Sequence, residues 1–101
     1  MPDTLYLLAP GFSDPAYPDK IFYCWHCALM EGVLASFPGL AGKLDVRRIP
    51  WPKPRQELID LLGEENQSLP VLVLAEGGFI DDKDGILAAL TERHGFPHPH
   101  P

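Results

Sequence analysis

The residues best suited to chemistry in this chain are Cys24-Trp25-His26-Cys27. These are its only two cysteines, and a disulfide scaffold needs more pairs joined over longer loops. Two cysteines three apart cannot staple a fold, so they either do chemistry or hold a metal. The apolar residues Cys27, Met30, Val33, Leu34 and Phe37 recur at steps of three and four. That spacing predicts a helix from Cys24 to Phe37, stopped by Pro38-Gly39. The pair therefore opens a helix. The free N–H groups and positive dipole end of the first turn stabilise a thiolate, which is the reactive form of cysteine. Cys24 falls at the N-cap end and can stay exposed. Cys27 lies one turn in, on the side that faces the core. An exposed attacking sulfur and a protected resolving sulfur then sit within disulfide reach. A metal alternative is a Cys2His2 zinc site of Cys24, Cys27, His98 and His100, with a histidine spacing of two and a tail folded back over the molecule.

The elements that must position this pair read off in order. Thr4 to Ala9 is a short apolar run closed by Pro10-Gly11, a buried strand. Residues 10–23 hold three prolines and form a loop long enough to have a role of its own. Its aromatics Phe12, Tyr17, Phe22 and Tyr23 suit either a packed lid or a substrate surface. After the first helix, Leu44 to Ile49 alternates as a strand. Arg55 to Leu62 reads as a short helix with Leu58, Leu61 and Leu62 inward. Leu69 to Leu74 reads as a second buried strand, Gly77-Gly78 as a tight turn and Phe79-Ile80 as its antiparallel partner. A last helix runs from about Asp82 to Arg93, with Ile86, Leu87 and Leu90 on one face. The alternating Pro-His residues of 95–101 read as a poorly ordered tail. The order β-α-β-α-β-β-α predicts an α/β fold: a four-stranded mixed sheet flanked by three helices.

Composition sets the outer limits. At 101 residues the chain is a single domain, with a core spanning about 4–93. Its 46% apolar and 22% charged residues are ordinary for a globular protein. Fourteen acidic against eight basic residues leave a net charge of −6, which argues against a nucleic-acid partner. The apolar runs are far shorter than the roughly 20 residues of a membrane span. The start Met1-Pro2-Asp3-Thr4 lacks a positive leader region, so a cytoplasmic location is expected. Arg47, Arg48, Lys53 and Arg55 cluster about the second strand and helix. They read as solvated surface, with contact to a substrate carboxylate as the alternative.

The element order with C-x-x-C opening the first helix resembles the thioredoxin and glutaredoxin superfamily. Members of that superfamily carry a cis-proline at the head of the third strand, facing the cysteines. Leu69-Pro70 stands there, 46 residues after Cys24. A proline that gives up a ladder donor is unusual in a buried strand, and a cis bond would account for it. The segment from Ile80 to Leu90 is similar to the end of a glutathione-transferase N-terminal domain. Asp82 matches its glutathione-binding acid, and Lys83 stands where that family has serine. The whole chain also resembles a small uncharacterised bacterial family of thioredoxin-like proteins.

The resemblance implies a cytoplasmic thiol–disulfide oxidoreductase that requires no cofactor. Cys24 would attack a protein or small-molecule disulfide and Cys27 would resolve the mixed disulfide. His26 precedes the second cysteine as in protein disulfide isomerase, and implies a tuned Cys24 thiolate and a potential of roughly −250 to −180 mV, above thioredoxin's about −270 mV. Trp25 would shape the entrance, and Leu69 and Pro70 would offer backbone to the bound chain. The alternatives are a binding module of the same fold, holding glutathione, a peptide or a partner protein without turnover, and the zinc-binding domain.

Overall fold

The strand whose residues are apolar in both directions lies at the centre of the sheet. The computed structural model describes residues 2–101. In it β1 (Thr4–Leu8) runs parallel to β2 (Asp45–Ile49), with Thr4 opposite Asp45 and Leu8 opposite Ile49. On its other side β1 pairs antiparallel with β3 (Val71–Val73), Thr4 opposite Val73 and Tyr6 opposite Val71. β4 (Phe79–Ile80) closes the edge antiparallel to β3. The four-stranded mixed sheet has the order β2-β1-β3-β4. Alternation along β1 sends Leu5 and Leu7 to one face and Tyr6 to the other. A strand covered on both faces needs a continuous apolar run, as the sequence has.

The helices are α1 (Trp25–Ser36), α2 (Pro38–Ala41), α3 (Gln56–Leu62) and α4 (Lys83–His94). Met30 and Leu34 of α1 and Ile86 and Leu90 of α4 pack with Leu5, Leu7 and Leu72 in the larger core cluster. Leu58 of α3 packs with Tyr6, Ile49 and Val71 on the opposite face. No helix among the described residues is long and apolar enough to cross a membrane.

Four local expectations are corrected. There are four helices where three were expected. Pro38-Gly39 does end α1, but proline at the first helical position has its φ pre-set and starts a further single turn. β3 is three residues long, not six. Pro70 has no N–H to give to a ladder, and at the other end the Leu74 N–H turns to Gly78 O at 3.0 Å. Leu61 is exposed, because a helix of only two turns presents Leu58 and Leu62 inward and its neighbours outward. The start of the tail is anchored in the core. Gly95 takes a left-handed φ of 75°, and Phe96 then folds in, 3% exposed, with its ring edge-on to Phe37 at 6.2 Å. The Leu69–Pro70 bond is cis, as expected, and so is Lys53–Pro54.

One charged cluster was not visible in the sequence. Asp3, 2% exposed at the start of β1, accepts from Arg93 Nε at 2.7 Å and Nη2 at 2.9 Å and from Ala75 N–H at 2.8 Å. His94 Nε2 lies 2.8 Å away, and Arg93 also bridges to Glu76. The Arg93 hydrogen bonds hold the Asp3 carboxyl well below the usual carboxylate range. This knot ties β1, the β3–β4 turn and the end of α4 together, at the end of β1 away from the cysteines.

Candidate functional site

Cys24 is the N-cap of α1. Its backbone is extended (φ −80°, ψ 120°), and its sulfur accepts from the Cys27 N–H at 3.2 Å. A sulfur thus fills the position usually held by a serine or aspartate oxygen, against N–H groups that have no partner within the helix. Cys27 is 2% exposed and belongs to the core cluster with Leu8 and Met30. Its sulfur accepts from the Leu8 N–H at 3.3 Å. Both cysteines are free thiols, joined through the Cys27 N–H that donates to the Cys24 sulfur.

The sheet explains why Leu8 is free to donate. β1 and β3 pair from Thr4–Val73 to Tyr6–Val71. Carried on by two residues, this register sets Leu8 opposite Leu69. The paired part of β3 ends before that point, at Val71, and the Leu8 N–H goes to sulfur instead. The head of β3, Leu69-Pro70, is thereby carried past the end of the ladder toward the Leu8 end of β1. Leu69 packs on the same core cluster as Cys24, and Pro70 is buried.

Burial pushes the Cys27 thiol up to about 12, reinforced by its hydrogen bond with Cys24 and opposed by the Leu8 N–H. Cys27 is therefore neutral at physiological pH. Cys24 is half-buried and lines a cleft of about 400 Å3 together with Cys27, Leu8, Ile21, Phe22 and Glu31. The cleft is mainly apolar. Glu31, one turn beyond Cys27, is held by a bidentate pair with Arg48 at 2.6 and 2.8 Å.

The loop of residues 10–23 forms one wall. Phe12 and Phe22 bridge as an antiparallel pair, with Phe22 N–H to Phe12 O at 2.7 Å. Phe12 stacks on Trp51 at 5.5 Å and 7°, while Tyr17 meets Phe22 edge-on. These aromatics divide between the two readings of the loop: Phe12 and Phe22 pack inward, and Tyr17 and Tyr23 are exposed. Ile21, Tyr23 and Trp25 alternate outward along the approach to the cysteines.

The other expected site residues fall as follows. Trp25 is 67% exposed at the mouth, its ring 3.8 Å from that of His26. His26 is half-buried in that contact, and among the described residues it makes no hydrogen bond to either sulfur. Asp82 is the N-cap of α4, accepting from Gly85 N–H at 2.8 Å. It does not line the cysteine cleft. His98 lies along the groove between α1 and α4, and His100 contacts only Pro101 O. Among the described residues no three His, Cys, Asp or Glu side chains are grouped to hold a metal ion. The zinc set Cys24, Cys27, His98 and His100 is not brought together.

Arg55 reads as solvated surface in the sequence. Arg55 is half-buried; burial holds its guanidinium below its ordinary value, opposed by the Cys27 and Cys24 sulfurs. No motif distinguishes it from its basic neighbours; only the fold returns its loop to the cysteines.

The family described as Protein of unknown function (DUF3088) matches residues 2–98. The chain belongs to that family. No curated protein and no solved structure matches it.

Proposed function

We propose that this member of the family is a thioredoxin-like domain and a thiol–disulfide oxidoreductase working through Cys24 and Cys27. The observation that carries the reading is the unequal pair at one helix start. One sulfur caps the helix in an open cleft, and the other is buried and neutral one turn further in. The sheet order β2-β1-β3-β4, with a parallel β1–β2 pair and antiparallel neighbours, supports the fold assignment.

The reaction follows from the difference between the sulfurs. The Cys24 thiolate attacks one sulfur of a substrate disulfide. A Cys24–substrate bond forms, the substrate S–S bond breaks, and the departing sulfur leaves as a thiolate that takes up a proton. The Cys27 thiol then loses its proton and attacks Cys24 Sγ. The Cys24–Cys27 disulfide forms and the second substrate thiolate leaves. Two electrons have passed from the dithiol to the substrate. A small thiol or dithiol returns the pair to its reduced state by the reverse exchange. Keeping Cys27 neutral until the mixed disulfide is present protects it from other reactions.

The test is a redox titration of the purified protein in thiol–disulfide buffers, read by mass after alkylation. A reversible loss of two thiols per chain, with a matching rate of reduction of a disulfide substrate, is the expected outcome. Thiols that stay reduced across the range would refute the enzyme and leave a binding module. The expected potential of roughly −250 to −180 mV is read in the same titration. His26→Ala should lower it by a few tens of millivolts, and an unchanged value removes His26 from the mechanism.

A further inference from the structure

Three of the four arginines in this chain have carboxylate partners. Arg47 meets Asp45 and Glu57, Arg48 meets Glu31, and Arg93 meets Asp3 and Glu76. Arg55 is the exception among the described residues. Its guanidinium donates only to backbone carbonyls: Nε and Nη2 to Trp51 O at 3.2 and 2.7 Å, and Nη1 to Gln67 O at 2.6 Å. Its own N–H is held by Gln67 Oε1 at 2.8 Å. A guanidinium has five N–H donors; three are used, and one on each terminal nitrogen is left over.

This clamp fixes the cation between the two segments that border the cysteines. Trp51 stacks on Phe12, and Phe12 is bridged to Phe22, two residues before Cys24. Gln67 lies two residues before Leu69, which the β1–β3 register sets opposite the sulfur-binding Leu8. A half-buried cation without an anion is costly, and such a group is expected where an anion forms. Four bonds that hold it still, none of them to a carboxylate, leave its charge unspent.

We propose that Arg55 is the electrostatic partner of the Cys24–Cys27 pair, favouring the thiolate when the dithiol gives up its first proton. This rests on the oxidoreductase reading above and concerns the same sulfurs. Of the other titratable or charged groups, Glu31 on α1 and Tyr23 on the loop wall line the cleft, His26 precedes Cys27 on α1, and Lys53 lies on the segment that carries Arg55. Glu31 opposes a thiolate, but its charge is matched by Arg48. Lys53 is exposed, and among the described residues no ion pair or hydrogen bond holds its side chain in place. Arg55 is the fixed cation of the group.

The experiment is the pH profile of iodoacetamide alkylation of the fully reduced protein, read by peptide mass. It compares wild type with Arg55→Gln, Arg55→Met and Arg55→Lys, and Lys53→Gln as a control. At pH 7 the Gln and Met variants should alkylate about three- to tenfold more slowly, as expected for losing one nearby partly screened charge. Where every thiol is ionised, the neutral variants should be no slower than wild type, since a more basic thiolate is the better nucleophile. Arg55→Lys keeps the charge and should recover most of the rate, although it breaks the planar clamp. Lys53→Gln should match wild type. A neutral variant whose profile superimposes on wild type overturns the proposal. So does an Arg55→Lys as slow as Arg55→Gln, which would mark the residue as structural only. Two neutral variants are used so that failure of one to fold leaves the other. Alkylation needs no turnover, so its outcome is separate from the redox titration that tests the oxidoreductase.

Discussion

The buried sulfur gives the sharpest quantitative prediction. Burial raises the Cys27 thiol from an ordinary 9.0 to about 12. The difference, 12 − 9.0, makes its thiolate about a thousandfold scarcer at pH 7 than that of an ordinary thiol. A more basic thiolate is also a better nucleophile. With a Brønsted slope of about 0.4–0.5, that returns a factor of about 15–30. Ionisation alone should therefore slow Cys27 about 30- to 60-fold, and 2% exposure adds steric exclusion on top. The variant to use is Cys24→Ser. It leaves burial, the largest cause, in place; it removes competition from the outer sulfur together with the smaller upward push that Cys24 gives. Labelling with iodoacetamide, quenched over time and read by mass, should run at least about tenfold slower than for a small free thiol at pH 7. The rate should keep rising about tenfold per pH unit up to at least pH 10, since the thiol titrates above that. A rate within about threefold of the free thiol, or a plateau below pH 10, would refute the assignment of Cys27 as the protected, neutral partner. In the wild type, Cys24 should carry nearly all the label at pH 7.

Three further outcomes test the frame around the site. Asp3→Asn should lower Tm by roughly 5–15 °C, because the Arg93 and His94 contacts lose their carboxylate. Asp3 is held below its ordinary value, so its contribution is complete above about pH 4 and fades as pH falls further. The gap between wild type and variant should therefore narrow in acid, and a constant gap would contradict the pairing. Gly85→Ala should destabilise by about 1–2 kcal/mol, although the same change inside a helix normally stabilises. A Cβ there would lie 2.7 Å from Asp82 Oδ1 and 2.8 Å from Ile80 Cγ2; a Tm equal to or above wild type would show that the cap can move aside. Phe96→Ala should cost about 3–5 kcal/mol, as for a core aromatic, and an effect below 1 kcal/mol would return the residue to a loose tail.

The sequence by itself determined the order of strands and helices, the helix that the cysteines open and the turn at Gly77-Gly78. These depend on local periodicity and on residues with restricted backbones, which act wherever they occur. It also ranked the sulfurs, since a step of three residues along an amphipathic helix carries Cys27 inward. Element ends were less legible. The length of β3 depends on what its neighbours offer as partners, and the turn at Pro38 can either end a helix or begin one. The roles of single polar residues were decided only in three dimensions. Asp3 meets Arg93 and His94 across some 90 positions, and Asp82 is occupied as a cap. Arg47, Arg48 and Arg55 are alike in the sequence, yet two are neutralised by carboxylates and the third is clamped by carbonyls near two sulfurs. The physical reason is range. Propensity and periodicity act over a few residues, whereas the charge felt at a sulfur depends on which distant segments the sheet returns to it, and on how much water the packing leaves between them.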